Sequence, residues 1–342
     1  MTHPLAHLGW QPRVEALVDA CRPDHLEAAD VVVGRVVRAD KGHARIGTAA
    51  GELLVTVTPD MTPAGPPVVG DWVVVADDPD AEGGSTIAGV ADRWSQLQRH
   101  DPEGIHRSQV LVANVDVVAL VHGMDRPLSP GRIERMLSAV WEAGAEPLII
   151  VTKTDLSSDG DIGAVVHVLA EVALGVDVVV TSAVDGSGVA DVAAHVTPDR
   201  TLLLLGESGG GKSSLLNVLV GADAMAVGEV REGDSKGRHT TTHRQLVPLP
   251  AGGVLVDTPG VRAFALWDAA DGIGATFAEI AAAAESCRFR DCNHDAEPGC
   301  AVKAAVASGE IDADRFDRYL ALRAEQDTFE LRADEVARRA RG

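Results

Sequence analysis

The chain has 342 residues, of which 46 % are hydrophobic and 24 % charged, a composition that excludes a disordered or fibrous protein and suggests two or three domains. A formal net charge of -21 repels polyanions at long range, so any nucleic-acid contact must come from local basic patches. There is no run of about 20 apolar residues, and residues 1–10 lack a basic segment followed by an apolar one, so a cytoplasmic protein with no membrane partner is expected.

Residues 1–29 read as a polar helical lead-in. Residues 31–37, 44–46, 53–57, 71–76 and 85–90 are short β-branched stretches separated by turn residues, which predicts a small antiparallel barrel over 30–98. From Gln109 the rhythm changes. Apolar runs at 115–121, 147–151, 176–181 and 201–205 alternate with helical segments at 131–142 and 162–173 and a short helix near Val189. This βα repetition predicts a mostly parallel sheet covered by helices over 99–267. Residues 268–342, Ala-rich and then charged around a Cys/His cluster, predict a helical unit. The expected fold class is therefore multidomain α/β. Aromatics are only 3 % of the chain, so Val, Ala and Leu must fill its cores.

Gly206-Glu207-Ser208-Gly209-Gly210-Gly211-Lys212-Ser213 follows an apolar strand and opens a helix beginning near Ser214, which is the complete GxxxxGK[ST] phosphate-loop pattern in its strand-loop-helix setting. Its glycines let backbone N–H groups turn toward phosphate oxygens, and the helix N-terminus adds partial positive charge. Lys212 is expected to bridge the β- and γ-phosphates and is a catalytic candidate, while the Ser213 hydroxyl is a Mg²⁺ ligand candidate. Downstream, Asp257-Thr258-Pro259-Gly260 ends the apolar run 254–256. Asp257 can hold the Mg²⁺ shell, and Gly260 leaves room for its N–H to approach a γ-phosphate.

Upstream of the phosphate loop, the strand 147–151 ends in Thr152-Lys153-Thr154-Asp155, followed by Leu156. A carboxylate at Asp155 accepts both N–H groups of a guanine edge, whereas adenine would leave it unpaired and desolvated, so GTP and GDP are favoured over adenine nucleotides. Lys153 can lie over the base, and Ser182 and Ala183 at the end of the next strand can present a backbone N–H to guanine O6. The base elements thus precede the phosphate loop, a circular permutation of the usual GTPase order. Compact domains tolerate such a permutation when their termini lie close together.

Cys287, Cys292, His294 and Cys300 place three thiolates and one imidazole within fourteen residues, enough for a closed tetrahedral Zn²⁺ site of structural role. Arg288 and Arg290, between the ligands, can be displayed toward phosphate.

The permuted order, the preceding barrel and the Cys/His cluster resemble the ribosome small subunit-dependent GTPase family, known as RsgA or YjeQ. So do Gly70-Asp71-Trp72-Val73, Asn114-Val115-Asp116, Gly237-Arg238-His239-Thr240-Thr241-Thr242 and Val261-Arg262-Ala263-Phe264. The resemblance implies an oligonucleotide-binding-like (OB-like) barrel, a permuted P-loop GTPase domain and a C-terminal zinc-binding helical domain. It also implies a role in late small-subunit maturation, with the small ribosomal subunit and its rRNA as partners. Two departures from that pattern stand out: Thr152, a base-contact candidate, stands where GTPases commonly carry Asn and offers fewer bonds than an amide, and the acidic net charge is unexpected for an rRNA binder. Separately, Val261 occupies the place after Gly260 where many GTPases carry a water-orienting Gln. With an apolar Val261, the water-handling role passes by resemblance and chemistry to His239, and Thr241 is taken as the further Mg²⁺ ligand. A monomer is expected. A nucleotide-gated rRNA-binding module with incidental turnover is the alternative, and a P-loop ATPase or kinase is disfavoured by the base elements.

Overall fold

The computed structural model describes residues 3–57, 65–76, 85–99, 109–221, 244–257 and 270–341. His239, Thr240, Thr241, Thr242, Gly260 and Val261, with Thr258 and Pro259, lie outside the described residues.

At the N-terminus, α1 (Pro12–Cys21) begins with Pro at its first turn, which suits a position whose N–H has no helical partner. Its Val14 and Val18, together with Leu5 and Leu8 before it, are buried in the main core, so the lead-in packs as part of the fold rather than as a polar arm. Five strands follow: β1 (Val31–Asp40), β2 (His43–Thr48), β3 (Gly51–Thr56), β4 (Trp72–Ala76) and β5 (Thr86–Val90). They pair antiparallel in the order β3-β2-β1-β4-β5 around a core of Val36, Ile46, Val55, Val73, Val75 and Ile87. The outer strands β3 and β5 approach within 8 Å between Cα atoms. Next come β6 (Gln96–Arg99) and β7 (Gln109–Ala113), an antiparallel ribbon.

The second half of the sheet is built from β8 (Val117–Gly123), β9 (Glu146–Thr152), β10 (Val178–Val180), β11 (Thr201–Gly206), β12 (Gln245–Pro248) and β13 (Val254–Asp257). Its order is β10-β9-β8-β11-β13-β12, parallel except for β12 at the end. β12 also touches β1 through Arg38 and Gln245, so the two halves form one continuous sheet, of eleven strands among the described residues. All seven residues of β8 are buried, which explains the uninterrupted apolar run at 117–121: a central parallel strand has both faces covered. Alternate residues point to opposite faces. Val118, Leu120, Ile149 and Leu203 meet α2 (Pro130–Glu142) and α3 (Asp159–Val172), whereas Ala119, Val121, Ile150 and Leu204 meet α4 (Val189–Ala194) and α5 (Lys212–Val220). Each buried Leu, Ile or Val contributes about 1.5–3 kcal/mol.

The seam between the two halves is polar. Arg35 on β1 is fully buried and donates to the carbonyls of Leu8, Gly70 and Asn114 and to the Thr201 hydroxyl. Burial pushes its guanidinium down to about 10, still charged at neutral pH. Asn114, in left-handed backbone at φ 56, donates to Gly70 O at 3.0 Å, while Asp116 accepts from Gln11, Arg13 and the Thr201 N–H. Asp71 takes both arms of Arg93 at 2.7 Å. The Gly70-Asp71-Trp72 and Asn114-Val115-Asp116 motifs therefore meet each other, and both brace the joint between the antiparallel N-terminal strands and the parallel sheet.

The C-terminal unit comprises α6 (Ala270–Thr276), α7 (Ala278–Ala284), α8 (Ala301–Ser308) and α9 (Ala313–Arg341) around Phe277, Ile280, Val302, Phe316 and Tyr319. It docks on α2. Gly272 sits so close that a Cβ there would stand 2.0 Å from Ser138 O, and the Ser138 and Thr276 hydroxyls bond at 3.0 Å. Glu134 of α2, with no exposed surface, accepts from Arg315 at 2.9 Å and from Arg318 at 2.6 Å. Among the described residues no helix is long and apolar enough to cross a membrane.

Candidate functional site

The parallel strands β8, β9, β11 and β13 end at Gly123, Thr152, Gly206 and Asp257, and the loops that leave β8, β9 and β11 converge outside the carboxyl edge of the sheet. In open α/β sheets this is where ligands bind.

The phosphate loop leaves β11 with Gly206 at φ 150. A Cβ there would lie 2.3 Å from Val121 O, so only glycine lets the loop pass over β8. Gly211, at φ 91, opens α5 with no side-chain cap, leaving the first N–H groups of that helix to an anion. Lys212 Nζ is folded back on the carbonyls of Gly206 and Glu207, both at 2.7 Å. Ser213 and Ser214 follow in the first turn of α5, and Asp257 ends β13, the strand paired with β11.

On the base side, Thr152 is 3 % exposed and its hydroxyl donates to Gly210 O at 2.6 Å. The side chain at this position thus ties β9 to the phosphate loop. Lys153, at φ 60, turns the chain into the short 3-10 helix Thr154–Leu156. The Asp155 carboxylate accepts from the Ser182 hydroxyl at 2.7 Å, and the same hydroxyl receives the Val184 N–H at 3.1 Å. These loops enclose a cavity of about 250 Å³ lined by Lys153, Asp155, Leu156, Ala183, Gly211 and Ser214, among others. Leu156 and Val184, 64 % and 82 % exposed, provide an apolar mouth, which suits the faces of a flat ring.

A charged brace beside this cavity carries no motif and escapes sequence reading. Asp125, two residues past β8, pairs with Lys153 Nζ at 2.7 Å. Hydrogen bonds from Lys153 and then Arg126 hold its carboxyl down to about 2. Arg126 also donates to Ser208 O and to Glu207, both at 3.2 Å, and Arg132 pairs with Glu207 from the first turn of α2. The one available signal is a charged pair directly after an apolar central strand.

The four metal-ligand candidates assemble as their spacing implies. One ligand atom from each of Cys287, Cys292, His294 and Cys300 lies within 4.8 Å of the others. His294 Nδ1 is 3.7 Å from the Cys287 sulfur and 3.5 Å from that of Cys300, and these two sulfurs are 4.0 Å apart. Thiolate bonds of about 2.3 Å at tetrahedral angles put sulfurs about 3.8 Å apart, so the donors fit a tetrahedral ion. Burial holds the His294 imidazole below its usual range, favouring the neutral form that ligates.

Comparison with known proteins places the chain in a family. A family model described as RsgA GTPase matches residues 90–267. A small ribosomal subunit biogenesis GTPase RsgA of Streptomyces coelicolor is 42 % identical over 340 residues, covering 98 % of this chain and 90 % of that one. Its counterpart in Streptomyces avermitilis is 40 % identical over 339 residues, covering 97 % and 88 %. Among solved structures, YjeQ from Thermotoga maritima superposes with a TM-score of 0.65 at 29 % identity, covering 86 % of this chain and 98 % of that one. YloQ, described as a circularly permuted GTPase, gives 0.63 at 28 % identity, covering 90 % and 98 %. The motif order read from the sequence is thereby borne out, and the chain belongs to the RsgA GTPase family.

Proposed function

We propose that this chain hydrolyses GTP to GDP and phosphate on the small ribosomal subunit, late in subunit maturation, and that turnover times its release. One observation carries the reading: Asp155 and Ser182, 27 residues apart, meet beside a cavity whose other side is the start of the phosphate-loop helix. A guanine there would give two N–H groups to Asp155, while Gly206, Glu207, Ser208, Gly209, Gly210 and Gly211 turn their backbone toward the phosphates. Lys212 would exchange its two carbonyl partners for β- and γ-phosphate oxygens.

Ser213, Asp257 and Thr241 are the proposed Mg²⁺ ligands; the ion neutralises charge on the phosphate oxygens. His239 is proposed to orient or deprotonate the attacking water, because Val261 cannot. Cys287, Cys292, His294 and Cys300 would hold a structural Zn²⁺, four protein ligands leaving no open position. The five N-terminal strands are proposed to act as an OB-like barrel facing rRNA. The protein is proposed to be a cytoplasmic monomer, and the names of its relatives support the choice of small subunit.

GTP hydrolysis measured with and without purified small subunits tests the reading. Stimulated turnover is expected, reduced about 100-fold or more by His239→Ala, the scale of a lost general base. Turnover indifferent to the subunit would overturn the proposal.

A further inference from the structure

We propose that Asp125 is a positioning residue for nucleotide recognition: its carboxylate holds the Lys153 ammonium so that the lysine stem forms a standing wall of the base cavity. The inference rests on the proposed reading of that cavity as the guanine-nucleotide site.

Lys153 lines the cavity, and its ammonium is tethered to Asp125 Oδ2 at 2.7 Å. The stem is confined as well. A Cβ on Gly123 would stand 2.5 Å from Asp125 Oδ1, 3.5 Å from Lys153 Cδ and 3.6 Å from Gly210 Cα, so carboxylate, stem and phosphate loop converge over one glycine. Arg126 steadies the carboxylate from the other side, with Nε 3.3 Å from Oδ1 and Nη2 3.4 Å from Oδ2, while its Nη1 reaches Ser208 O. Asp125 therefore stays ionised at any neutral pH, consistent with its lowered pKa. A free lysine stem gives up rotamer freedom when it packs on a base. A stem ordered beforehand has already lost that freedom, so the tether acts through preorganisation. The pair is about one-third exposed on each side, which keeps the effect modest.

The test is titration of the full chain with GDP, together with GTP turnover kinetics, for wild type, D125A, D125N, D125E, K153A, R126A and D125A/K153A. The expected result is GDP affinity lowered about threefold to fivefold in D125A and in the isosteric D125N, and largely restored in D125E. D125A should raise KM for GTP with kcat unchanged, and should add nothing in the K153A background. Wild-type affinity in D125A and D125N would overturn the inference, as would a full further loss in the double variant or a loss in R126A as large as that in D125A. Failure of the wild-type chain to bind GDP would instead sink the reading of the site itself, so the two failures are distinguishable.

Discussion

The Thr152 hydroxyl donates to the Gly210 carbonyl at 2.6 Å, joining the end of a base-side strand to the phosphate loop 58 residues later. The contact is buried, and Thr152 packs so tightly that a Cβ on Gly211 would lie 2.8 Å from its oxygen. Base and phosphate elements are thus one mechanical unit despite the permuted chain. Thr152→Val keeps the shape but leaves Gly210 O without this donor, at a cost of about 1–3 kcal/mol. Urea unfolding should show that loss, and GDP titration a weaker site; equal values in both would remove the tie from the account.

Asp155 is expected to set base identity. Asp155→Asn keeps a partner for the Ser182 hydroxyl but reverses the donor and acceptor pattern toward the base. GTP binding should weaken by about 2 kcal/mol, the scale of one hydrogen bond to a charged group, while xanthosine triphosphate binding improves. Competition between the two nucleotides checks this, and an unchanged preference would take Asp155 out of the site.

Metal removal should act locally. Elemental analysis should find about one Zn²⁺ per chain from the four-ligand count, and Cys292→Ser should lose it along with order in α7 and α8. Hydrogen exchange confined to those helices is the expected readout. A metal-free chain with full protection there would contradict the assignment.

The C-terminal unit should depend on one arginine for its dock. Arg315 is 5 % exposed and serves Glu134, Val172 O, Thr276 O and Glu279 at once. Arg315→Ala leaves Glu134 with Arg318 but strips the Val172 and Thr276 carbonyls of their donor, a loss of about 3 kcal/mol, the scale of buried acceptors left unsatisfied. Denaturant unfolding should then split into two transitions as the unit detaches from α2. A single transition with wild-type midpoint would show that the apolar contacts suffice.

What the sequence by itself determined was local. The phosphate loop could be read because one strand, eight residues and one helix turn supply its whole geometry, and the metal cluster because its four donors lie within fourteen residues. The permuted order was likewise legible, since motif order is a property of the chain alone. Only the tertiary structure decided what crosses between segments. Thr152, a base-contact candidate by its motif, turns its hydroxyl to the phosphate loop. Asp125 and Arg126 belong to no motif and matter only because β8 ends between β9 and β11. Asn114 and Asp116 belong to the family signatures, but their use as a buried seam with Arg35 and Thr201 follows from strand positions that no spacing encodes. The physical reason is common to all of these. A hydrogen bond is directional and short, so a partner 58 or 166 residues away is specified by the packing of sheet and helices and not by the local pattern around either residue.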